Sequence, residues 1–251
     1  MRSMAKKIAW LIPLVTYSHF IYAQFYTHRY EAGIGAGTFV YQGDLTPSDA
    51  GSYQTIAPNI GFFAARILNR SFSVRANFTF GKLKGDDARY EKPEYRRQRN
   101  FNFSTPVTEL SGALVWNILA KNAREQPTGF SPYVFAGAGV SLLHISRSWS
   151  NYNAEYFNSE SVSAGLAADI AHRTPGAAII LPAGVGLKYA LTPTISLAAE
   201  TGYRFMFTDY LDGFSQGANP NKKDSYHSHS IGLVFSLGYK DRYDCPPVSK
   251  R

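Results

Sequence analysis

"SLAAETGYRFMFT", residues 196–208, alternates residue by residue. Successive side chains of an extended strand point to opposite faces. One face carries Leu197, Ala199, Thr201, Tyr203, Phe205 and Phe207, and the other Ser196, Ala198, Glu200, Gly202, Arg204, Met206 and Thr208. A soluble sheet turns its apolar face inward and its charges to water. Here a carboxylate and a guanidinium stand among small residues, opposite a continuous aromatic face. That pattern suits a strand turned inside out, with aromatics toward lipid and charges toward a lumen where partners converge.

The same alternation recurs in seven other segments, the signal for two-faced strands. "SFSVRANFTF" (71–80) sets Phe72, Val74, Ala76, Phe78 and Phe80 against Ser73, Arg75, Asn77 and Thr79. "PYVFAGAGVSLL" (132–143), "ILPAGVGLKY" (180–189) and "SIGLVFSLGY" (230–239) oppose large apolar residues to Gly, Ser and Lys188. The remaining three lie near 30–42, 55–68 and 101–118, the opening stretch belongs to a segment near 194–208, and the one at 55–68 has mixed parity. Connections alternate in length: a loop near 43–54, a turn at 68–71, a loop near 84–99, a turn near 119–130, a loop at 147–178, a turn at 191–194 and a loop near 209–225. Outer-membrane barrels show this asymmetry, with short periplasmic turns and longer outside loops. The fold class is therefore all-β, an eight-stranded antiparallel transmembrane β-barrel with no soluble second domain and both termini periplasmic. A soluble sandwich has no need of such alternation. The inward set Arg75, Glu109, Lys188, Glu200 and Arg204 reads as a lumen charge network, with Arg75 and Lys188 the leading partners for Glu200 and Arg204 the weakest.

The ends agree with export. "MRSMAKKIAWLIPLVTYSHFIYA" (1–23) has a basic start and a short apolar stretch, the pattern of a signal peptide. Its apolar core falls short of the roughly 20 residues of a spanning helix. The expected division is 1–23 signal peptide, 24–240 barrel and 241–251 a short polar periplasmic tail, with Tyr239 as the closing aromatic of the last strand. Cleavage removes Arg2, Lys6 and Lys7, so 26 Lys+Arg become 23 against 18 Asp+Glu and the net charge falls from +8 to +5. That excess does not demand a nucleic-acid partner. The single cysteine, Cys245, excludes an internal disulfide framework.

The stretches "YEAGIGAGTFVYQGDL" (30–45), "SVRANFTFGKLKGDD" (73–87), "RNFNFSTPVTELS" (99–111), "SPYVFAGAGV" (131–140) and "PAGVGLKYALTPTISLAAETGYRFMFTDYLD" (182–212) together resemble the small outer-membrane β-barrels of Bacteroidota, the family that includes the PorG protein of the type IX secretion system. The resemblance implies an outer-membrane location, no catalytic residues and, for the PorG member, association with a periplasmic ring of the secretion machine. After "DYLD" the family pattern continues with an acidic and a small apolar residue, where this chain has Gly213 and Phe214.

Charge gathers at the strand ends expected to face outward. Asp44 follows the first strand, Asp86 and Asp87 the third, and Thr208, Asp209, Tyr210, Leu211 and Asp212 form an outer-rim motif that reads as a folded turn. Arg89, Lys92, Arg96, Arg97 and Arg99 bring a basic loop to the same side. Such a rim could meet lipopolysaccharide phosphates, a divalent cation or a partner protein, but reads first as a solvated loop with ordinary surface pairs. An alternative function, a lipid-modifying enzyme like the lipid A deacylases, rests on His144 and Ser146, two apart on one strand face, with Glu155 or Glu160 to complete a triad. His227 and His229 share a face but lack a third metal ligand in sequence and read as a polar strand start. No phosphate loop or zinc spacing stands out, and no cofactor or metal is expected. A diffusion pore is disfavoured because eight strands leave a lumen that side chains fill.

Overall fold

The computed structural model describes residues 30–122, 129–157, 160–219 and 223–238. The expected leader over 1–23, the expected closing Tyr239, the expected tail over 241–251 with Cys245 and the middle of the expected 119–130 turn lie outside them. Among the described residues nine strands run in chain order: β1 (Tyr30–Gln42), β2 (Ala57–Ile67), β3 (Phe72–Asp86), β4 (Asn102–Asn117), β5 (Phe130–Leu143), the short β6 (Ser146–Ser148), β7 (Ala177–Ala190), β8 (Ile195–Met206) and β9 (Ser225–Leu237). The eight long ones pair antiparallel with their neighbours around the ring, β5 meeting β7 directly. The ring closes where β1 meets β9, from Tyr30 opposite Leu237 to Gln42 opposite Ser225. The fold is a closed, eight-stranded antiparallel β-barrel.

The period-2 pattern sets the two faces. On the outside, Leu110, Ile179, Phe205 and Ile231 are each more than half exposed. On the inside, Arg75 and Glu109 are only 6% and 3% exposed. A sheet in water would reverse those numbers. The mixed parity of 55–68 resolves with Asn59, Phe63, Ala65 and Ile67 inward and Ile60, Phe62 and Arg66 outward.

At one end the strands meet in short turns. Asn69 Oδ1 accepts the backbone N–H groups of Ser71 (2.9 Å) and Phe72 (2.8 Å). Thr192 Oγ1 accepts those of Thr194 (3.3 Å) and Ile195 (2.9 Å). Such side-chain closure is why Asn and Thr serve in tight turns. Exposed Tyr30, Phe72, Trp116, Phe130 and Tyr189 stand at strand ends here, placed like the aromatic girdle of a membrane interface.

The opposite end differs from a set of free loops. β3 and β4 run 15 and 16 residues, longer than the roughly 9–11 a tilted strand needs to cross hydrocarbon. Their outer ends project and carry a second core. The connection after β3 holds a helix, α1 (Glu94–Arg99), and the connection between β5 and β7, expected at 147–178, begins earlier and holds β6 and a 12-residue helix, α2 (Glu160–Ala171). From the strands come Phe39, Tyr41, Leu83, Phe103, Ile180, Met206 and Tyr226; from the connections come Leu45, Phe101, Leu166, Leu211 and Phe214. All four long connections thus contribute to one apolar cluster over the barrel mouth.

Candidate functional site

The inward polar residues sit in three levels. Nearest the short turns, Lys188 Nζ donates to Glu31 Oε1 at 2.5 Å. At mid-height Arg75 Nη1 donates to Glu200 Oε2 at 2.8 Å, and the guanidinium lies over the rings of Phe63 (5.1 Å) and Phe135 (4.8 Å). Above it, Arg204 Nη2 donates to Glu109 Oε2 at 3.3 Å, and Tyr226 Oη donates to Glu109 Oε1 at 2.5 Å. Ser141 and Ser228 complete this level, at 2.9 Å from Tyr226 Oη and 2.5 Å from Arg204 Nη1. A cavity of about 90 Å³ lies between the upper two levels, where Arg75, Asn77, Glu200, Arg204, Ser228 and Ser230 share its lining with apolar residues such as Phe63 and Phe135. Of the three cations considered for Glu200, Arg75 makes the contact. Lys188 instead holds Glu31 and Arg204 holds Glu109. Glu31 and Tyr226 carry no distinguishing motif, and only their inward parity marks them.

The rim departs further from expectation. The basic loop is a solvated strip only in part: Arg89 makes an exposed pair with Asp86 at 3.7 Å, but two of its arginines turn inward. Arg96 and Arg99 are 6% and 5% exposed, and both close on Asp87, which is fully buried. Residues three apart share a helix face, so α1 presents both guanidiniums to one carboxylate. Arg99 is bidentate, Nε to Oδ2 at 2.6 Å and Nη2 to Oδ1 at 3.0 Å, while Arg96 Nη1 reaches Oδ1 at 3.1 Å. Arg96 Nη1 and Arg99 Nη2 also donate to the carbonyl of Asp44 in the first loop, and Arg96 Nη2 to that of Thr46. Arg89 and Arg97 stay exposed.

The outer-rim motif is a packed turn. Leu211 and Asp212 are fully buried, and Asp44 is 5% exposed. Tyr41 Oη lies 2.7 Å from both Asp212 Oδ2 and Asp224 Oδ1. A hydroxyl has one proton to give, so the second contact needs a protonated carboxyl. Burial pushes both carboxyls well above the usual range. The neighbouring Asp224 and Asp44 charges add to this at Asp212, and at Asp224 the Tyr41 hydrogen bond opposes it while Asp44 reinforces it. Thr208 Oγ1 accepts the Tyr210 N–H at 3.2 Å, Asp209 accepts from Ser215 Oγ at 2.5 Å, and Tyr210 stacks on His172 at 4.0 Å.

From α2, Asp169 accepts three successive backbone N–H groups, those of Ser215 (3.1 Å), Gln216 (3.0 Å) and Gly217 (2.8 Å). Arg147 joins the third and fourth long connections by donating to the carbonyls of Asp169 and Gly213. Gly213 has φ +85°, and a Cβ there would lie 2.7 Å from Arg147 Cδ, so glycine fits the position where the family pattern changes. A Cβ on Gly165 of α2 would meet the Gln216 carbonyl at 2.2 Å. Asp169, Arg147 and Asp224 lie in connections whose sequence gives no period, and nothing short of the fold unites them.

The residues of the enzyme alternative are not assembled. His144 and Ser146 are both exposed and no hydrogen bond joins them, Glu155 is exposed in the following loop, and Glu160 begins α2.

Among solved structures, the chain is similar to Neisserial surface protein A, with 15% identity, TM-score 0.46 and coverage of 83% of this chain and 97% of that one. It is similar to the attachment invasion locus protein Ail of Yersinia pestis, in complex with the heparin analogue sucrose octasulfate, at 14% identity, TM-score 0.44 and coverage of 84% and 99%. For the outer membrane enzyme PagL the values are 10% identity, TM-score 0.37, and coverage of 82% and 99%. No residue role transfers at such identities. No curated protein matches the chain by sequence. A family model described as a domain of unknown function, DUF6089, matches residues 6–243, nearly the whole chain, and the protein belongs to that family.

Proposed function

We propose that the protein is a non-enzymatic outer-membrane barrel that serves as a rigid accessory or scaffold in an envelope assembly. The observation that carries this reading is the investment of its polar residues in internal pairs. The lumen levels lock strand to strand, and the rim pairs lock the long connections to one another. A barrel so braced offers its partners a fixed frame. The resemblance to PorG-containing barrels makes a type IX secretion complex the first assembly to test, with a periplasmic ring as partner. The short-turn end, where β1 begins and β9 ends, is the face that would meet it if the long connections point outward. Lipopolysaccharide contact would then fall to the exposed arginines of the second long connection, Arg97 and the Asp86-paired Arg89.

The test is affinity isolation of the full chain from native outer membranes, followed by identification of co-purifying periplasmic proteins. Ring components should be retained by the native protein and lost when the 119–130 turn is replaced and residues 241–251 are deleted, with the barrel still inserted. Retention after both changes would move the docking surface to the other end of the barrel. Absence of ring components from the native sample would refute the secretion assignment.

A further inference from the structure

The first long connection folds back over the outside of the barrel. Val40 faces outward on β1, yet it is fully buried, because the loop lies against it. A Cβ on Gly51 would stand 2.9 Å from Val40 Cγ1 and 3.0 Å from His227 Cε1. Two residues on, Tyr53 reaches across to β9. Its Oη lies 3.1 Å from His227 Nε2 and 3.3 Å from His229 Nε2. Both histidines point outward, two apart on one strand, in register with Val40 and Thr38 of β1 and with Tyr203 and Thr201 of β8.

Two imidazole nitrogens and a phenol oxygen therefore converge on one small volume. In a tetrahedral site with bonds of about 2.0–2.1 Å, neighbouring ligand atoms are about 3.3–3.4 Å apart. The two observed separations lie close to that edge length. The other ring nitrogen of His229, Nδ1, is 3.1 Å from Thr201 Oγ1, the kind of outer contact that fixes the tautomer of a metal-binding histidine. Tyr203 stacks on the His227 ring at 6.3 Å and 12°, and Tyr53 is 56% exposed, which leaves a coordination position open to solvent. Along β9 the outward residue after His229 is Ile231, 58% exposed in the apolar belt, so the cluster stands just outside the belt, within reach of aqueous ions.

We propose that Tyr53, His227 and His229 bind a divalent transition-metal ion of the Zn²⁺ or Cu²⁺ type on the outer face of the barrel. Imidazole nitrogen suits these ions in preference to Mg²⁺ or Ca²⁺, which favour oxygen. Without metal, the hydrogen bonds are satisfied if Thr201 donates to His229 Nδ1, His229 Nε2–H donates to Tyr53 Oη, and Tyr53 donates to His227 Nε2. Metal entry moves the His229 proton to Nδ1, where Thr201 accepts it. The phenol proton leaves to solvent, so one proton is released per ion bound. The ion would also pin the first connection to the outer wall, adding to the bonds that Ser52 and Thr55 already make to Tyr90 and Lys84.

The experiment uses the chain without residues 1–23 and without a histidine tag, refolded in a zwitterionic detergent free of lipopolysaccharide. Zn²⁺ is titrated calorimetrically and Cu²⁺ by absorption. The expected result is one ion per barrel, release of one proton and a tyrosinate-to-copper charge-transfer band. His227→Gln with His229→Gln should abolish binding. Tyr53→Phe should remove the band and the released proton while leaving weaker binding. Thr201→Val should lower affinity about 10–100-fold. Gel mobility before and after heating shows whether each variant has folded, and Tyr53→Phe, a surface change, keeps the test decisive if the histidine variant does not. No stoichiometric binding by the native chain, or binding unchanged in the double-histidine variant, would overturn the proposal and leave the cluster a hydrogen-bonded strap.

Discussion

The wall of the barrel and its rim use the same kinds of residue in different ways. In the wall, polar groups are reached by alternation. Arg75, Glu109, Glu200 and Arg204 occupy inward positions on regular strands, and the ladder brings each to its partner's height. In the rim, Asp87, Arg96 and Arg99 come from one connection, Asp169 from the next and Asp212 from the last, and each reaches its partners only after the connections fold. The contrast teaches that burial of charge has two origins here. One is a property of the strand pattern, and the other is a tertiary core assembled on a finished barrel. If so, the two regions should fail separately.

The largest expected effects come from removing one half of a buried pair. Arg75→Ala leaves Glu200 in the lumen without its cation and should cost about 3–5 kcal/mol of barrel stability, whereas the double Arg75→Ala, Glu200→Ala change should cost less than the single one. Reversible unfolding in lipid vesicles measures both. An absence of coupling would mean that the wall pair is incidental. Asp87→Ala strips the shared partner from Arg96 and Arg99 and should destabilise the rim by a similar amount, about 3–5 kcal/mol. Its signature is protease cleavage within 88–101 while the strands stay protected. Loss of the whole barrel would show that rim and wall are a single unit.

A smaller effect separates the rim by pH. Asp212 and Asp224 have folded-state values raised above the ordinary 3.8, so the folded rim binds more protons than the unfolded one. Their contribution is full below the ordinary value and is lost as pH rises through the raised ones, by at most about 1.4 kcal/mol per pH unit for each proton. The Trp149 ring meets Phe214 edge-on at 6.4 Å, and in a chain lacking residues 1–23 with Trp116→Phe it is the only tryptophan. Its fluorescence should report loosening of the rim on the alkaline side, and Asp224→Asn should flatten that response. A rim that loosens with falling pH alone would contradict the raised values.

What the sequence discloses follows the same division. Strand faces could be read from 71–80 and 196–208 because large apolar and small polar residues take strict turns there. They could not be read from 55–68, where Phe62 and Phe63 are both aromatic. Phe63 goes inward because Gly33 leaves its ring space, a Cβ there lying only 2.1 Å away, and that accommodation is made across strands. The partner of Glu200 was legible as a short set of cations, whereas the choice among them depends on register: Arg75 and Glu200 sit on β3 and β8, far apart in the chain, and meet across the lumen. In the rim, no period links α1 to Asp87 or α2 to the turn after β8. Charged residues in a connection look like solvent-facing residues until a second connection covers them. Tyr53 was invisible for the same reason, although His227 and His229 were already paired by their spacing.

The central claim is that the chain is inside out, its aromatic face in lipid and its charged face in the lumen. Neighbours on β3 test it most directly. Phe78 is 40% exposed on the outer face, and Asn77 points inward, where Nδ2 donates to Ser111 Oγ at 3.3 Å. In a refolding assay into phospholipid vesicles, Phe78→Arg should destabilise the barrel by about 2–4 kcal/mol, and Asn77→Ala by about 1 kcal/mol, the value of one ordinary hydrogen bond. Equal tolerance of the two changes, or a larger cost at Asn77, would contradict the assignment of faces on which the whole account rests.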